Sequence, residues 1–120
     1  EAAAGAGEMN TRASPAMRLE AATASVAAGE KFGGQTIPMV RIRVTDKNTA
    51  EPVAAAAWLM RAIYGRHPAE WQWRTGGIER LSGTAQLKSA VEQDGIAPLL
   101  ERWRRESAAF QRDTRPYLLY

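Results

Sequence analysis

The large apolar residues are distributed very unevenly along the chain, and this limits which part of it can fold. Of 31 Leu, Ile, Val, Met, Phe, Trp and Tyr residues, only Met9, Met17, Leu19 and Val26 lie within the first 30 positions. A segment with so few large apolar side chains cannot bury enough surface to offset the entropy lost on ordering. We therefore predict that residues 1–30 form a disordered or loosely ordered Ala/Gly-rich linker, and that residues 31–120 form one small domain. A partner surface would allow a short helix over residues 17–28.

Charge and composition exclude several classes of protein. The 16 basic and 13 acidic residues give a net charge of +3. This charge is too small to attract nucleic acid by itself, so we expect no nucleic-acid partner. The chain has no cysteine, which excludes disulfides and thiolate metal sites. Its longest unbroken apolar run, residues 53–60, is far shorter than the roughly 20 residues that cross a bilayer, so we expect no membrane span.

Two adjacent segments give the clearest secondary-structure signals. Residues 37–44 alternate apolar and basic side chains, which predicts a strand whose Arg41 and Arg43 face water or an acidic partner. A helix follows, with Thr49 as its N-cap, Pro52 in its first turn and Gly65 at its end. The apolar stripe predicted for this helix is Val53, Ala56, Ala57, Met60 and Tyr64.

The second half of the chain predicts two more helices. One runs from Ala85 to about Gln93 and the other from about Pro98 to Arg112, with Leu99, Trp103 and Phe110 sharing a face. Residues 78–81 are interpreted as a short apolar contact segment. The last four residues, 117–120, are apolar, and we predict that they are buried in a short strand. The whole pattern predicts an α+β fold, with a short sheet packed by about three helices.

Catalytic and metal-binding patterns are sparse. His67 is the single histidine and lies in a turn without a GxSxG motif, so nothing supports a Ser-His-Asp triad. No spacing among the carboxylates selects a pair for acid–base catalysis. We therefore assign no catalytic residue and expect no metal ion and no cofactor. Asp46 follows the end of the predicted strand, where ligand sites open in α/β sheets, although capping of the next helix is the favoured role.

An aromatic segment offers a possible binding surface. Trp71, Trp73 and Arg74 have the aromatic faces and the guanidinium plane that stack on a sugar or a base. Packing of both indoles in the core is the favoured interpretation, because the chain has only 31 large apolar residues.

Three arginines near the C-terminus resemble a basic patch. Arg102, Arg104 and Arg105 lie on the last predicted helix, but Glu101 and Glu106 interleave with them. Opposite charges at this spacing favour a solvated helix face with intrahelical ion pairs.

Several motifs occur in an order that resembles a known family. The run FGGQTIPMVRIRVTD at 32–46 is similar to the "G…GV-x-[IL]-x-VTD" strand in the C-terminal domain of NamZ-type exo-β-N-acetylmuramidases, bacterial enzymes that trim peptidoglycan fragments. A helix of matching length begins at Pro52. HP at 67–68 with WQWR at 71–74 resembles "[YH]P…F-x-WR", and IERLSGT at 78–84 resembles "ID-x-L-x-G-[ST]". Trp103, Phe110 and the final RPYLLY resemble the closing "W…F…R-x-YLLY".

The resemblance implies a role beside a catalytic domain. In this family a larger, Rossmann-like N-terminal domain carries the catalytic glutamate and has no counterpart in the chain, so we expect the chain alone to be inactive. Its implied partners are that catalytic domain and peptidoglycan fragments, and its implied location is periplasmic or secreted. The candidates for lining the cleft that binds terminal N-acetylmuramic acid are Thr45, Asp46, Lys47, Trp73 and Arg74. The cations of Lys47 or Arg74 suit the lactyl carboxylate.

A free-standing binding module without catalytic activity is the alternative function. It would bind an acidic partner through Arg41, Arg43 and the helix of residues 102–105, or a glycan through the tryptophan segment. If the chain is a muramidase domain, we expect an exposed apolar patch of about a few hundred Å² or more, where the catalytic domain docks. A free-standing module predicts saturable binding by the isolated chain.

Overall fold

The computed structural model describes residues 15–119, which fall into two units with a boundary between Arg66 and His67. The first unit contains strand β1 (Met17–Ser25), strand β2 (Thr36–Val44) and helix α1 (Pro52–Arg66). The second contains helices α2 (Gly77–Ser82), α3 (Gln86–Glu92) and α4 (Ile96–Thr114), followed by a 3-10 turn (Arg115–Tyr117). The predicted α+β class is confirmed, with a two-stranded sheet and four helices in the described residues.

Strand β1 lies where the sequence predicted a linker or a short helix. It pairs with β2 in antiparallel register, with Met17 opposite Val44 and Ser25 opposite Thr36. Leu19 of β1 is only 2% exposed. Both predictions are therefore wrong for residues 17–25, because pairing with β2 supplies the backbone hydrogen bonds and a packing surface that the composition of β1 does not signal. Residues 1–14 lie outside the described part of the chain.

The strand predicted at 37–44 is confirmed as β2. Its register gives the hairpin two distinct faces, since directly paired residues point to the same side. One face carries Leu19 opposite Ile42, and the other carries Glu20 opposite Arg41. Arg41 and Arg43 are exposed, as predicted. The alternation is not complete, because Ile37 lies an even number of residues from Arg41 and therefore shares the arginine face.

Leu19 is the centre of the core of the first unit. The partly buried residues packed against it are Val40, Trp58, Leu59 and Ala62. Helix α1 also buries Ala54, Ala55 and Ala57, whose small side chains allow close approach of another backbone. The predicted apolar stripe is wrong in orientation, because Val53 is 62% exposed and Ala57 is its single fully buried member. A run of four alanines gives no contrast between helix faces, so the larger residues after it set the orientation.

The ends of α1 differ slightly from their predicted positions. The helix begins at Pro52, three residues after Thr49, so the prediction that Thr49 is its N-cap is wrong. The helix ends at Arg66, one residue beyond the predicted Gly65.

In the second unit, the two predicted helices are confirmed as α3 and α4. Their buried residues are Leu87, Ala90 and Val91 on α3, and Ile96, Leu99 and Leu100 on α4. A tight connection joins the two helices: Asp94 adopts a left-handed φ of 57° and the N–H of Gly95 donates to the carbonyl of Ala90 at 2.8 Å. The segment interpreted as an apolar contact, 78–81, lies within the short helix α2.

The C-terminal segment is exposed, contrary to the prediction that it is buried. Tyr117 is 82% exposed and Leu119 is 94% exposed, with Leu118 between them at 62%. The segment follows the 3-10 turn without joining a strand, because Pro116 ends the regular hydrogen bonding of α4. Phe110 is also 69% exposed, so the apolar face predicted for α4 is buried only toward its N-terminal end. Tyr120 lies outside the described residues.

Candidate functional site

Asp46 forms a tight turn between β2 and α1. Its Oδ1 accepts a hydrogen bond from the backbone N–H of Asn48 at 2.9 Å, and its Oδ2 accepts one from Thr49 Oγ1 at 2.7 Å. These hydrogen bonds, that of Thr49 first, lower the pKa of the exposed Asp46 carboxyl below its usual value. Asp46 therefore stays ionised at neutral pH. Both of its carboxylate oxygens accept hydrogen bonds within the loop.

The neighbours of Asp46 have different environments. The N–H of Thr45 donates to the carbonyl of Ala16 at 2.8 Å, which ties the end of β2 to the residue before β1. Lys47 is exposed and makes no ion pair within residues 15–119. Of the three candidates at the end of β2, Lys47 is the one with a positive charge that is free to bind an anion.

The tryptophan segment follows the boundary between the two units and has no regular secondary structure. Trp71 and Trp73 are half-buried, with ring centroids 5.1 Å apart and planes at 76° to each other. This edge-to-face packing is a favoured arrangement of two aromatic rings. The two rings do not share a plane, so at most one indole at a time offers its face to a flat ligand.

A hydrogen bond to α3 fixes the orientation of Trp73. Its Nε1–H donates to Glu92 Oε1 at 2.9 Å, a contact between residues 19 positions apart. Arg74, the next residue, is exposed, and its guanidinium makes no ion pair in the part of the chain that the structure describes. In the sequence, an oriented indole is therefore followed by a free cation.

The five predicted cleft residues belong to two different units. Thr45, Asp46 and Lys47 are consecutive in the first unit, while Trp73 and Arg74 are consecutive in the second. Each group is brought together locally, and their participation in a common cleft stays a prediction.

A groove between α3 and α4, named here the α3–α4 groove, was not predicted. It has a volume of about 370 Å³ and its polar lining is Gln86, Ser89, Gln93, Arg102 and Arg105. In the sequence, positions 86, 89 and 93 have the spacing of one helix face, but polar residues at this spacing do not distinguish a groove from a solvated surface. The three arginines of α4 had been interpreted as an ion-paired face. Arg102 and Arg104 do face Glu106 and Glu101 at 3.9 Å each, but Arg105 makes no ion pair within the described residues.

Residues 15–119 lack two features that would indicate other functions. No cluster of three or more His, Asp or Glu side chains in this part is arranged to hold a metal ion. None of its helices has both the length and the apolar character needed to cross a membrane.

Comparison with known protein families identifies the family of this chain. The family model described as "Exo-beta-N-acetylmuramidase NamZ, C-terminal" matches residues 1–120, the whole chain. The chain therefore belongs to this family of NamZ C-terminal domains. No curated protein and no solved structure matches it.

Proposed function

From this family membership, we propose that the chain is the C-terminal domain of a peptidoglycan exo-β-N-acetylmuramidase and helps to shape the cleft for terminal N-acetylmuramic acid. The observation that carries the proposal is the match of the family model to residues 1–120. No catalytic residue is assigned within the chain, so hydrolysis depends on a catalytic domain of the same enzyme. Action on peptidoglycan requires a periplasmic or secreted location.

The C-terminal segment supports docking to a catalytic domain. Tyr117, Leu118 and Leu119 are largely exposed, and Phe110 on α4 is too. Consecutive exposed apolar side chains are unfavourable in water and are typical of a surface that another protein region covers. In this proposal the catalytic domain is the occupant of that surface.

Two cations support recognition of N-acetylmuramic acid. This sugar differs from N-acetylglucosamine by a lactyl ether, which adds a carboxylate. Lys47 and Arg74 are both exposed cations without an ion pair in the described residues, and Arg74 follows an indole whose position is fixed by Glu92. An indole face and a guanidinium together suit a sugar ring that bears a carboxylate.

Hydrolysis of a chromogenic β-N-acetylmuramide tests the proposal. The assay compares the 120-residue chain with the longest protein that its reading frame encodes. We expect activity from the longer protein and none from the chain alone. Activity of the chain alone would contradict dependence on a separate catalytic domain, and inactivity of both proteins would overturn the proposed function.

Substitution of the two cations tests their role in the active protein. We expect Arg74→Gln or Lys47→Gln to raise KM for the muramide by about tenfold to a hundredfold, the usual range for losing a charged hydrogen bond. The same variants should leave KM for a β-N-acetylglucosaminide, measured as a minor activity, nearly unchanged, because that sugar lacks the carboxylate. Arg112→Gln is the matched control, since Arg112 is an exposed arginine near the end of α4 that faces Asp113 at 3.7 Å. Equal effects of Arg74→Gln and the control would remove Arg74 from the cleft.

A further inference from the structure

We propose that Glu92 is a positioning residue for sugar binding, because it holds the Trp73 indole in place for a sugar ring to stack on it. This inference rests on the proposed function, in which Trp73 lines the cleft, and it adds a residue that the sequence did not single out. Glu92 acts on the sugar ring through Trp73, whereas Lys47 and Arg74 are proposed to bind the lactyl carboxylate. The two roles are separable, because N-acetylglucosamine has the ring and lacks that carboxylate.

The tryptophan segment has no regular secondary structure that would fix its side chains. Two of its backbone hydrogen bonds are local: the N–H of Trp71 donates to the carbonyl of His67 at 3.0 Å, and the N–H of Gly77 donates to that of Arg74 at 2.9 Å. Such bonds shape the backbone and leave the torsions of the Trp73 side chain unset. The hydrogen bond from Trp73 Nε1 to Glu92 Oε1, at 2.9 Å, ties the indole itself to helix α3.

The backbone of Glu92 is well fixed by the interior of the second unit. Glu92 is the last residue of α3 and follows Val91, which is 0% exposed. Leu87 and Ala90 of the same helix are also buried. A carboxylate is a stronger hydrogen-bond acceptor than a neutral carbonyl, so Glu92 is suited to hold an indole N–H at the surface of the unit.

The contacts of Trp73 fix the ring while leaving room for stacking. The Nε1–H lies in the plane of the indole, so Glu92 holds the ring at its edge and does not cover its face. Trp71 packs against the same ring edge to face, and Trp73 is half-buried. An indole that is already ordered loses less side-chain entropy when a ligand binds, and this raises affinity for any ligand that stacks on it.

Calorimetric titration with two sugars tests the proposal on the longest protein that the reading frame encodes. The probes are N-acetylmuramic acid and N-acetylglucosamine. We expect Glu92→Leu to weaken the binding of both sugars by a similar factor of about threefold to tenfold, since both have the ring. Glu92→Gln keeps an acceptor oxygen and should restore most of the affinity. Glu101→Leu is the matched control, because Glu101 is an exposed glutamate on α4 that faces Arg104 at 3.9 Å, and it should bind both sugars as the unchanged protein does.

A double-mutant cycle shows whether Glu92 acts through the indole. Trp73→Phe keeps an aromatic face and removes the N–H that Glu92 accepts. In the Trp73→Phe background, we expect Glu92→Leu to cause no further loss of affinity, because the contact that it removes is already absent. Thermal melts should show that all variants are folded.

Every other result of the titrations overturns the inference. A further loss in the Trp73→Phe background would mean that Glu92 acts by another route. An effect on N-acetylmuramic acid alone would mean that Glu92 influences the carboxylate and not the ring. If Glu92→Leu matches Glu101→Leu, or if neither sugar binds, Glu92 does not position a sugar-binding indole. Hydrolysis of the muramide is measured separately, so the enzyme activity can be present while this inference fails, and the coupling can be present while hydrolysis is absent.

Discussion

The two units differ in how their interiors are built. In the first, one large side chain, Leu19, is fully buried, and the residues packed against it, such as Trp58 and Leu59, are only partly buried. In the second, large aliphatic residues of α3 and α4 are buried together, including Val91 and Ile96 at 0% exposure.

The two units also differ in the sequence separation of the residues that contact each other. The hairpin of the first unit joins residues up to 27 positions apart, from Met17 to Val44. The interior of the second unit comes from two helices joined by a short connection, so its contacts are local in sequence. Contacts between residues close in sequence cost less loop-closure entropy. In the second unit, burial of several aliphatic side chains contributes to stability, rather than burial of one.

The largest expected effect comes from the second unit, where several large aliphatic side chains are buried. We expect Leu100→Ala to lower the free energy of unfolding by about 3–5 kcal/mol, because it removes buried apolar atoms and leaves a cavity. Leu100 is 6% exposed. Urea denaturation measures the change, and Leu119→Ala is the matched control because it removes the same atoms from a side chain that is 94% exposed. The control should stay within about 0.5 kcal/mol.

The same substitution in the first unit should have a smaller effect. We expect Leu19→Ala to cost about 2–3 kcal/mol, the lower part of the usual range, because half-buried neighbours are free to move into the space. Hydrogen exchange should show the lost protection in the amides of β1 and β2. A cost above that of Leu100→Ala would reverse the comparison, and would mean that the hairpin unit is the more tightly packed of the two.

The hairpin loop gives a third test. A Cβ on Gly33 would overlap the backbone carbonyl of Ala28 and come within 2.8 Å of that of Ala27, so we expect Gly33→Ala to destabilise the chain by about 1–3 kcal/mol. Gly29 lies in the same loop with nothing within 4 Å of its position for a Cβ. Gly29→Ala should therefore be neutral or slightly stabilising in a thermal melt. Equal melting temperatures for the two variants would show that the loop adapts freely.

The smallest effect concerns the turn at Asp46. Because its pKa is lowered in the folded chain, ionised Asp46 stabilises the fold above its unfolded pKa of about 4, and this contribution is lost as the pH falls through the folded value. Asp46→Ala should lower Tm slightly at pH 7, near the resolution of a thermal melt, and the difference should shrink as the pH falls below the unfolded pKa and through the lower folded one. A difference that persists in acid would mean that packing, not charge, stabilises the turn.

The sequence predicted the elements with strong periodicity and missed those that depend on distant partners. The alternation at 37–44 and the helical spacing around Leu99 led to correct elements. Strand β1 was not predicted because it has only two large apolar residues, Met17 and Leu19, which give no clear alternation. Its structure depends on pairing with β2. The exposed ending was misjudged for a related reason: apolar residues such as Leu119 are usually buried, and the composition does not say which protein region buries them.

The candidate site was predictable only in part. The sequence identified Asp46 and Trp73 from position and residue type, and their hydrogen bonds to Thr49 and Glu92 came from the structure. The α3–α4 groove was not found because its polar lining comes from two helices whose facing sides are known only after folding. Glutamine and serine at helical spacing resemble any solvated face.

The hairpin has one more consequence, which concerns self-association. In a sheet of two strands, both strands are edges, and an edge with unpaired N–H and C=O groups can recruit a strand from another molecule. Strand β2 contains Pro38, which removes one donor from that edge, and the charged side chains Arg18, Arg41 and Arg43 share one face of the hairpin. Glu20 lies on the same face and pairs with Arg43 at 3.5 Å, so the three arginines and one glutamate leave a net charge of 3 − 1 = +2, which would oppose an identical hairpin stacking there. This small sheet therefore carries built-in protection against fibril growth, and replacing Pro38 and the arginines with Thr would remove it.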